Sequence, residues 1–302
     1  MAEIPYKFNR IYNLKLTTST NEIVEIKNPI TCELTISRKN LASLNTANFV
    51  IYNLNQTTRN KIYKDIFDLQ IVKPIEFWAG YKYDKTTFLS RCFAGEIKQA
   101  YSVRDGCDYK TFIECWDGGK AASMGILGLT MPSGTSIKTQ IIRLAQSMPN
   151  IIGAVVSDQF KGTSARGTTF LGNQLDALSQ LTEGCTYIDN QTVYCLKQDD
   201  VLQGEVETID KSFGLLDTPQ RSQTLVELSM LFEPRLFPSQ KVTVISDVEA
   251  IYNGTYKLTG IDHTGIISDA VNGELKTKVT LLNVDIRNVI RQNIINYLKN
   301  NP

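Results

Sequence analysis

Near both ends of the chain apolar residues alternate with polar ones, and between the ends they recur every three to four positions. Ile30, Cys32, Leu34 and Ile36 alternate with polar neighbours, and Phe49 to Leu54 continues as a second strand-like run, so each predicts a half-buried strand. A pattern then appears twice. Its first copy spans 74–117 (PIEFWAG, a polar turn, FLSRCFAGEIKQAYSV, the turn signal RDG, YKTFIECWD) and its second spans 240–285 (QKVTVIS, a loop, GTYKLTGIDHTGI, the turn signal NG, ELKTKVTLLNVD). Both read as strand, glycine-interrupted strand, turn, strand. Identity between them is slight, so the match is one of pattern, and a repeated β unit predicts duplicated barrels rather than one enzyme core. Gly95 and Gly260 are expected at equivalent bends.

Between about 120 and 215 the period shifts from two toward 3.6. Thr135 or Ser136 can cap a helix whose Ile137, Ile141, Leu144, Ala145 and Met148 share a face, ended by Pro149. A second helix is predicted near Thr168 to Thr182, carrying Leu171, Leu175, Leu178 and Leu181 and stopped by Gly184, followed by a hairpin around Asp189-Asn190. Asn55 caps a short helix in QTTRNKIYKDIF, with Ile62 and Ile66 on one face. The run after Thr224 alternates on both sides of a corner marked by Pro234 and Pro238. At the end, Ile286, Ile290, Ile294 and Leu298 are four residues apart, which predicts an amphipathic helix that packs on its own domain or docks in a partner's groove. The expected class is mainly β (α+β overall): two antiparallel β-barrel domains at 1–118 and 216–285, a small α+β domain at 119–215 between them, and a C-terminal helix at 286–302.

Composition narrows the chemistry. Lys plus Arg number 32 against 31 Asp plus Glu, for a net charge of +1, and no block of like charge provides a footprint for nucleic acid. No apolar run follows the charges of the N-terminus, and none approaches the roughly 20 residues of a spanning helix. Six scattered cysteines lack C-x-x-C spacing and read as small buried apolar residues. Cys185 would face Cys195 across a three-residue turn, whereas a two-residue turn offsets them.

His263 is the single histidine, so sites built on several imidazoles are excluded, and its place in a strand predicts a structural residue bonded within the sheet. The loop KGTSARGTTF has the G-x-x-x-x-G spacing at Gly162 and Gly167, but Thr168 stands where a lysine must reach the phosphates. Asp199-Asp200 and the Glu205, Glu207 pair read as solvated loop carboxylates. The sequons at Asn55, Asn190 and Asn253 carry little weight without a secretory route. No catalytic, cofactor-binding or metal-ligating residue is assigned, and no cofactor is expected.

The ordered set of residues resembles a known family. ITCELTISRKNLASLNTANFVIYNLNQTTRNKIY is similar to the opening of phage tail hub proteins. Ala79, Gly80, Tyr81, Gly95, Ile97, Asp108, Thr111, Cys115 and Asp117 follow that family's central signature, and Pro234, Gly254, Tyr256 and His263 its late module. The chain departs at Ser239-Gln240, where relatives often carry glycines, which leaves that corner's geometry open. The resemblance implies a non-enzymatic structural hub of the tail tip or baseplate, similar to the hub part of type VI secretion spike proteins. In such hubs each subunit carries two tube-like barrels, so that a homotrimer forms a pseudo-six-fold ring. The implied partners are its own copies, the tail tube protein hexamer, a spike or tail-tip protein, and baseplate wedge and tape measure proteins. The implied location is the virion, after synthesis in the host cytoplasm. Two other classes stay open: a tail-tip cell-wall hydrolase or peptidase, and a host-surface carbohydrate-binding module, for which only Trp78 and Trp116 are available as tryptophans.

Overall fold

Alternating strands organise both ends of the molecule. The structure, a computed structural model, describes residues 7–41, 43–68, 71–83, 86–124, 126–222 and 225–283; the helix expected at 286–302 lies outside them. In chain order come β1 (Arg10–Thr17), β2 (Ile23–Lys27), β3 (Cys32–Lys39), β4 (Thr46–Tyr52), α1 (Gln56–Ile62), β5 (Pro74–Lys82), β6 (Thr87–Asp105) and β7 (Asp108–Trp116). The middle segment holds α2 (Gly119–Met124), β8 (Ile126–Met131), α3 (Ile137–Gln146), β9 (Gly153–Val156), β10 (Thr168–Asn173), α4 (Gln174–Leu181), β11 (Thr186–Asp189) and β12 (Thr192–Cys195). The last part holds β13 (Thr208–Ile209), β14 (Gln220–Ser222), β15 (Leu225–Leu231), β16 (Lys241–Val244), β17 (Gly254–Ile267) and β18 (Leu275–Asn283).

The protein is mainly β, but its flanking parts do not close into separate barrels. They form one 13-stranded sheet in the order β14-β15-β18-β17-β3-β4-β7-β6-β5-β1-β2, with β16 pairing β17 and β13 pairing β16. The reason lies in β17: β16 takes its first residues, Gly254 to Lys257, while β3 takes Gly260 to Ile267. The edge that would close the second unit on itself is occupied by the first unit.

This order contains a tandem repeat. β14-β15-β18-β17 is followed by β3-β4-β7-β6, and the registers agree residue by residue. β17 carries a bulge between Leu258 and Gly260 against β18, and β6 one between Ile97 and Gln99 against β7. With the bulges superposed, Gly260 opposite Thr280 matches Gln99 opposite Glu114, and Thr280 opposite Glu227 matches Glu114 opposite Asn48. Gln220 opposite Glu227 then matches Thr35 opposite Asn48. A backbone bond repeats too, from the Ile97 N–H to the Lys73 carbonyl (2.9 Å) and from the Leu258 N–H to the Gln240 carbonyl (2.8 Å).

The expected equivalence of Gly95 and Gly260 is corrected by this register: Gly95 corresponds to Tyr256, and Gly260 to Gln99. The shared device is the bulge itself, which bends a strand and increases its twist. Gly95 has a local reason, since a Cβ there would lie 2.4 Å from the Trp116 carbonyl oxygen, whereas one at Gly260 would make an ordinary 3.4 Å contact with Thr280.

Among the described residues, apolar side chains gather in three clusters. Leu14, Cys32, Leu34, Ile36, Phe49, Phe77 and Ile113 belong to the first, and Val226, Leu228, Val242, Tyr256, Leu258 and Val279 to the second. Ile141, Leu144, Ala145 and Met148, on and just after α3, belong to the third, within the middle segment. Ser136 caps α3, accepting from the Thr139 N–H at 3.1 Å. The helix expected from Thr168 begins only at Gln174, capped by Asn173, because Thr168 to Asn173 pair with β8 as a strand; the β-branched and aromatic start TTF suits that role. α1 stops at Ile62, and Ile66 is exposed. The β11–β12 hairpin turns on two residues, Asn190 and Gln191, at φ 50° and 60°. Thr186 therefore faces Cys195, Cys185 is offset, and both thiols are free.

Candidate assembly face and its buried polar supports

The groups read as loop or sheet chemistry stay apart from one another. His263 is fully buried, and its Nδ1 lies 2.9 Å from Thr277 Oγ1 on the facing strand. Burial, with the Arg38 charge adding to it, lowers its pKa to about 3, so the ring is neutral. The loop around Gly162 and Gly167 leads into β10, not into a helix. Asp200 accepts from the Lys197 N–H within a local turn and from Gln159 Nε2 across the fold, which occupies both carboxylate oxygens. Burial pushes the thiols of Cys32, Cys92, Cys115 and Cys195 upward, away from thiolate chemistry. Among the described residues no group of three or more His, Cys, Asp or Glu side chains is placed to hold a metal. The sequon asparagines all serve the fold, since the side-chain oxygens of Asn55, Asn190 and Asn253 accept from the N–H groups of Thr58, Ala94 and Ser246.

Charges concentrate instead at the seam where β3 meets β17 and the middle segment. Arg38 continues the parity of Cys32, Leu34 and Ile36, so β3 aims it inward, and it is 2% exposed. Its Nε and Nη2 donate to the two carboxylate oxygens of Asp189 at 2.8 and 2.6 Å, and its Nη1 donates to the Leu236 carbonyl at 3.0 Å. One guanidinium thus joins the first strand set, the middle segment and the last part of the chain. Burial opposes its charge, but Asp189 outweighs burial and raises its pKa. Asn45 Nδ2 donates to Asp189 Oδ1 and to the Ile188 carbonyl, while Asn45 Oδ1 accepts from the Lys39 N–H. Beside them, Asp117 accepts from the Gln191 N–H, and burial followed by the Asp189 charge pushes its carboxyl well above the usual range.

A second buried group supports the same seam. Glu233 is fully buried and accepts from Arg235 Nε (2.7 Å) and Nη2 (2.9 Å), with Lys7 Nζ 3.2 Å away. Burial would raise its pKa, yet Arg235 and Lys7 hold it below the ordinary value. The Glu233 N–H donates to Thr277 Oγ1, the partner of His263. Phe232 packs edge-on against the His263 ring and accepts on its carbonyl from the Tyr81 hydroxyl of β5 at 2.6 Å. The corner after it is set by Ser239, which adopts φ +68° where a glycine would be free to do so. Ser239 holds that conformation through its N–H to the Leu258 carbonyl at 2.7 Å.

The sequence pattern named none of Arg38, Asp189, Asn45 and Glu233 as functional. Arg38 had a signal, a charge standing on the apolar face of an alternating strand. The other three become connected only by tertiary folding.

Among the described residues the strand path runs from β14 to β2, and β13 ends a side branch through β16. β6 also projects beyond β5, which pairs only Thr87 to Glu96. On that edge Ala100 exchanges backbone bonds with Lys64, so by strand alternation Ser102 and Arg104 direct their backbone groups the same way. Tyr101 to Asp105 and Gln220 to Ser222 are all exposed.

Residues 13–266 match the family model described as "Baseplate hub gp41", and the chain belongs to that family. It is a structural component of the phage tail baseplate. Its fold is similar to that of the 43 kDa tail protein of prophage MuSo2 from Shewanella oneidensis (TM-score 0.59, 10% identity, 90% of this chain and 97% of that one). It is also similar to the tail protein from Neisseria meningitidis MC58 (TM-score 0.56, 11% identity, 91% and 97%). A third likeness is to the E. coli c3393 protein (TM-score 0.52, 8% identity, 84% and 74%), a component of the type VI secretion system with structural similarity to T4 bacteriophage tail proteins gp27 and gp5. No curated protein matches the sequence.

Proposed function

We propose that the chain works as a homotrimeric hub at the tail tip, in which three copies supply six quasi-equivalent four-strand sets around one axis. Such a ring offers three-fold contacts to a spike or tail-tip protein and six-fold contacts to the hexameric tail tube protein. The tandem strand order, with its matching registers and bulges, carries this reading. A trimer meets a six-fold surface only if each subunit offers two similar faces, and the repeat supplies two. The likeness to a type VI secretion component supports a spike-side partner. In this reading the middle segment lies outside the ring or toward the spike, where wedge or tape measure proteins can reach it, and the hub seals or threads the tube without making or breaking a bond.

Light scattering on the purified chain tests the assembly, with a mass near three times 33.9 kDa expected. A strict monomer at micromolar concentration that binds neither tube nor spike protein overturns it. A cell-wall degradation assay is expected to show no turnover.

A further inference from the structure

The last described strand ends beside an exposed apolar turn. β18 runs to Asn283, which lies opposite Tyr256 of β17, and β17 begins two residues earlier, at Gly254. A chain that keeps the direction of β18 for two more residues, about 7 Å, arrives beside Gly254 and the turn before it. That turn, 246–253, is closed on itself. Asn253 Oδ1 accepts from the Ser246 N–H at 2.7 Å, and Ser246 Oγ accepts from the Glu249 N–H at 3.2 Å. Ala250–Tyr252 forms one turn of 3-10 helix within it. Tyr252 packs against the second apolar cluster, and its carbonyl accepts from the Tyr256 hydroxyl at 2.7 Å. Val248 and Ile251 go the other way and are 75% and 79% exposed. They are three positions apart, the period that stacks side chains on one side of a 3-10 turn. Asp247 and Glu249, both exposed, flank Val248.

The sequence that leaves Asn283 is complementary to this turn. Ile286, Val289 and Ile290 lead the apolar stripe of the expected C-terminal helix, and Arg287 and Arg291 stand beside them, four residues apart. Such a stripe is stable only against another apolar surface. Exposed β-branched residues flanked by two acids thus lie next to the exit point of a segment whose β-branched residues are flanked by two arginines. We infer that the start of the C-terminal segment folds back on its own chain, with Ile286 and Ile290 seated on Val248 and Ile251, and Arg287 and Arg291 beside Asp247 and Glu249. The short tether selects the same copy as the occupant. A segment held two residues away acts at an effective concentration on the order of millimolar, above that of a second copy at micromolar concentration. The contact lies inside one copy and does not depend on the trimeric reading.

Hydrogen exchange followed by mass spectrometry on the full chain tests it. Peptides covering 286–294 are expected to exchange at least roughly tenfold more slowly than an unstructured chain. Val248→Asp with Ile251→Asp, both at exposed positions, is expected to remove that protection while β3 and β17 keep theirs. Arg287→Glu with Arg291→Glu is expected to weaken it, and the addition of Asp247→Lys and Glu249→Lys to restore it.

A parent chain that is unprotected at 286–294, protection that survives the 248/251 variant, or a charge reversal that the second reversal fails to rescue overturns the contact. Protection that falls as the parent chain is diluted reports docking on another copy and overturns the own-chain assignment.

Discussion

Replacing Arg38 with methionine tests whether the seam depends on the buried guanidinium. The side chain is 2% exposed and makes three bonds, two of them to Asp189. Methionine fills much of the volume but leaves the Asp189 carboxylate buried with the Asn45 amide, at 3.0 Å, in place of a full positive charge. Removing one partner of a buried ion pair costs about 3–5 kcal/mol, because the other charge stays desolvated and unpaired. Removing both partners costs far less, so Arg38→Met combined with Asp189→Leu is expected to recover at least half of the loss. Urea unfolding followed by tryptophan fluorescence and circular dichroism measures both variants. A loss below about 1 kcal/mol for the single variant, or a double variant whose loss equals the sum of the two singles, refutes the coupling.

Two pH profiles separate the other buried groups. The depressed pKa of His263 means unfolding takes up a proton, so its contribution is present above the unfolded value of about 6.5 and falls by about 1.4 kcal/mol per pH unit toward the folded value of about 3; His263→Gln is expected to remove that slope between pH 6.5 and 4.5, and a profile parallel to the parent's contradicts this. Asp117 has the opposite sign: its raised pKa makes it most favourable below the unfolded value of about 3.9 and increasingly costly as pH rises. Asp117→Asn is therefore expected to stabilise the chain at pH 7 relative to the parent but not at pH 4, as thermal melts at the two pH values would show. Ser239→Gly relieves a left-handed backbone worth about 1–2 kcal/mol, offset in part by the extra chain entropy of glycine; a higher urea midpoint is expected.

Strand positions were legible because alternation survives burial on one face. Cys32, Leu34 and Ile36 are all buried, as their spacing requires. Repetition was legible too, but its alignment was not, because glycines are conspicuous in sequence while bulges are a property of pairing. Gly95 answers to the Trp116 carbonyl, a neighbour on another strand. Closure into barrels failed for a similar reason: no local pattern records that β17 prefers β3 to its own set. The strand Thr168 to Asn173 was hidden by leucines at helical spacing, and Leu171 of that series is 80% exposed. For the candidate site, the hub-like order of residues was visible, whereas the Arg38–Asp189 link joins positions 151 apart and exists only in three dimensions.

If one chain carries two equivalent strand sets so that three chains build a six-part ring, electron cryomicroscopy of the assembled tail tip shows it most directly. Three copies of the chain, with their six four-strand sets at near-equal angular spacing and facing a hexameric tube layer, are predicted. Six copies in that layer, a single copy, or sets whose β6 and β17 point to different faces of the ring would contradict it.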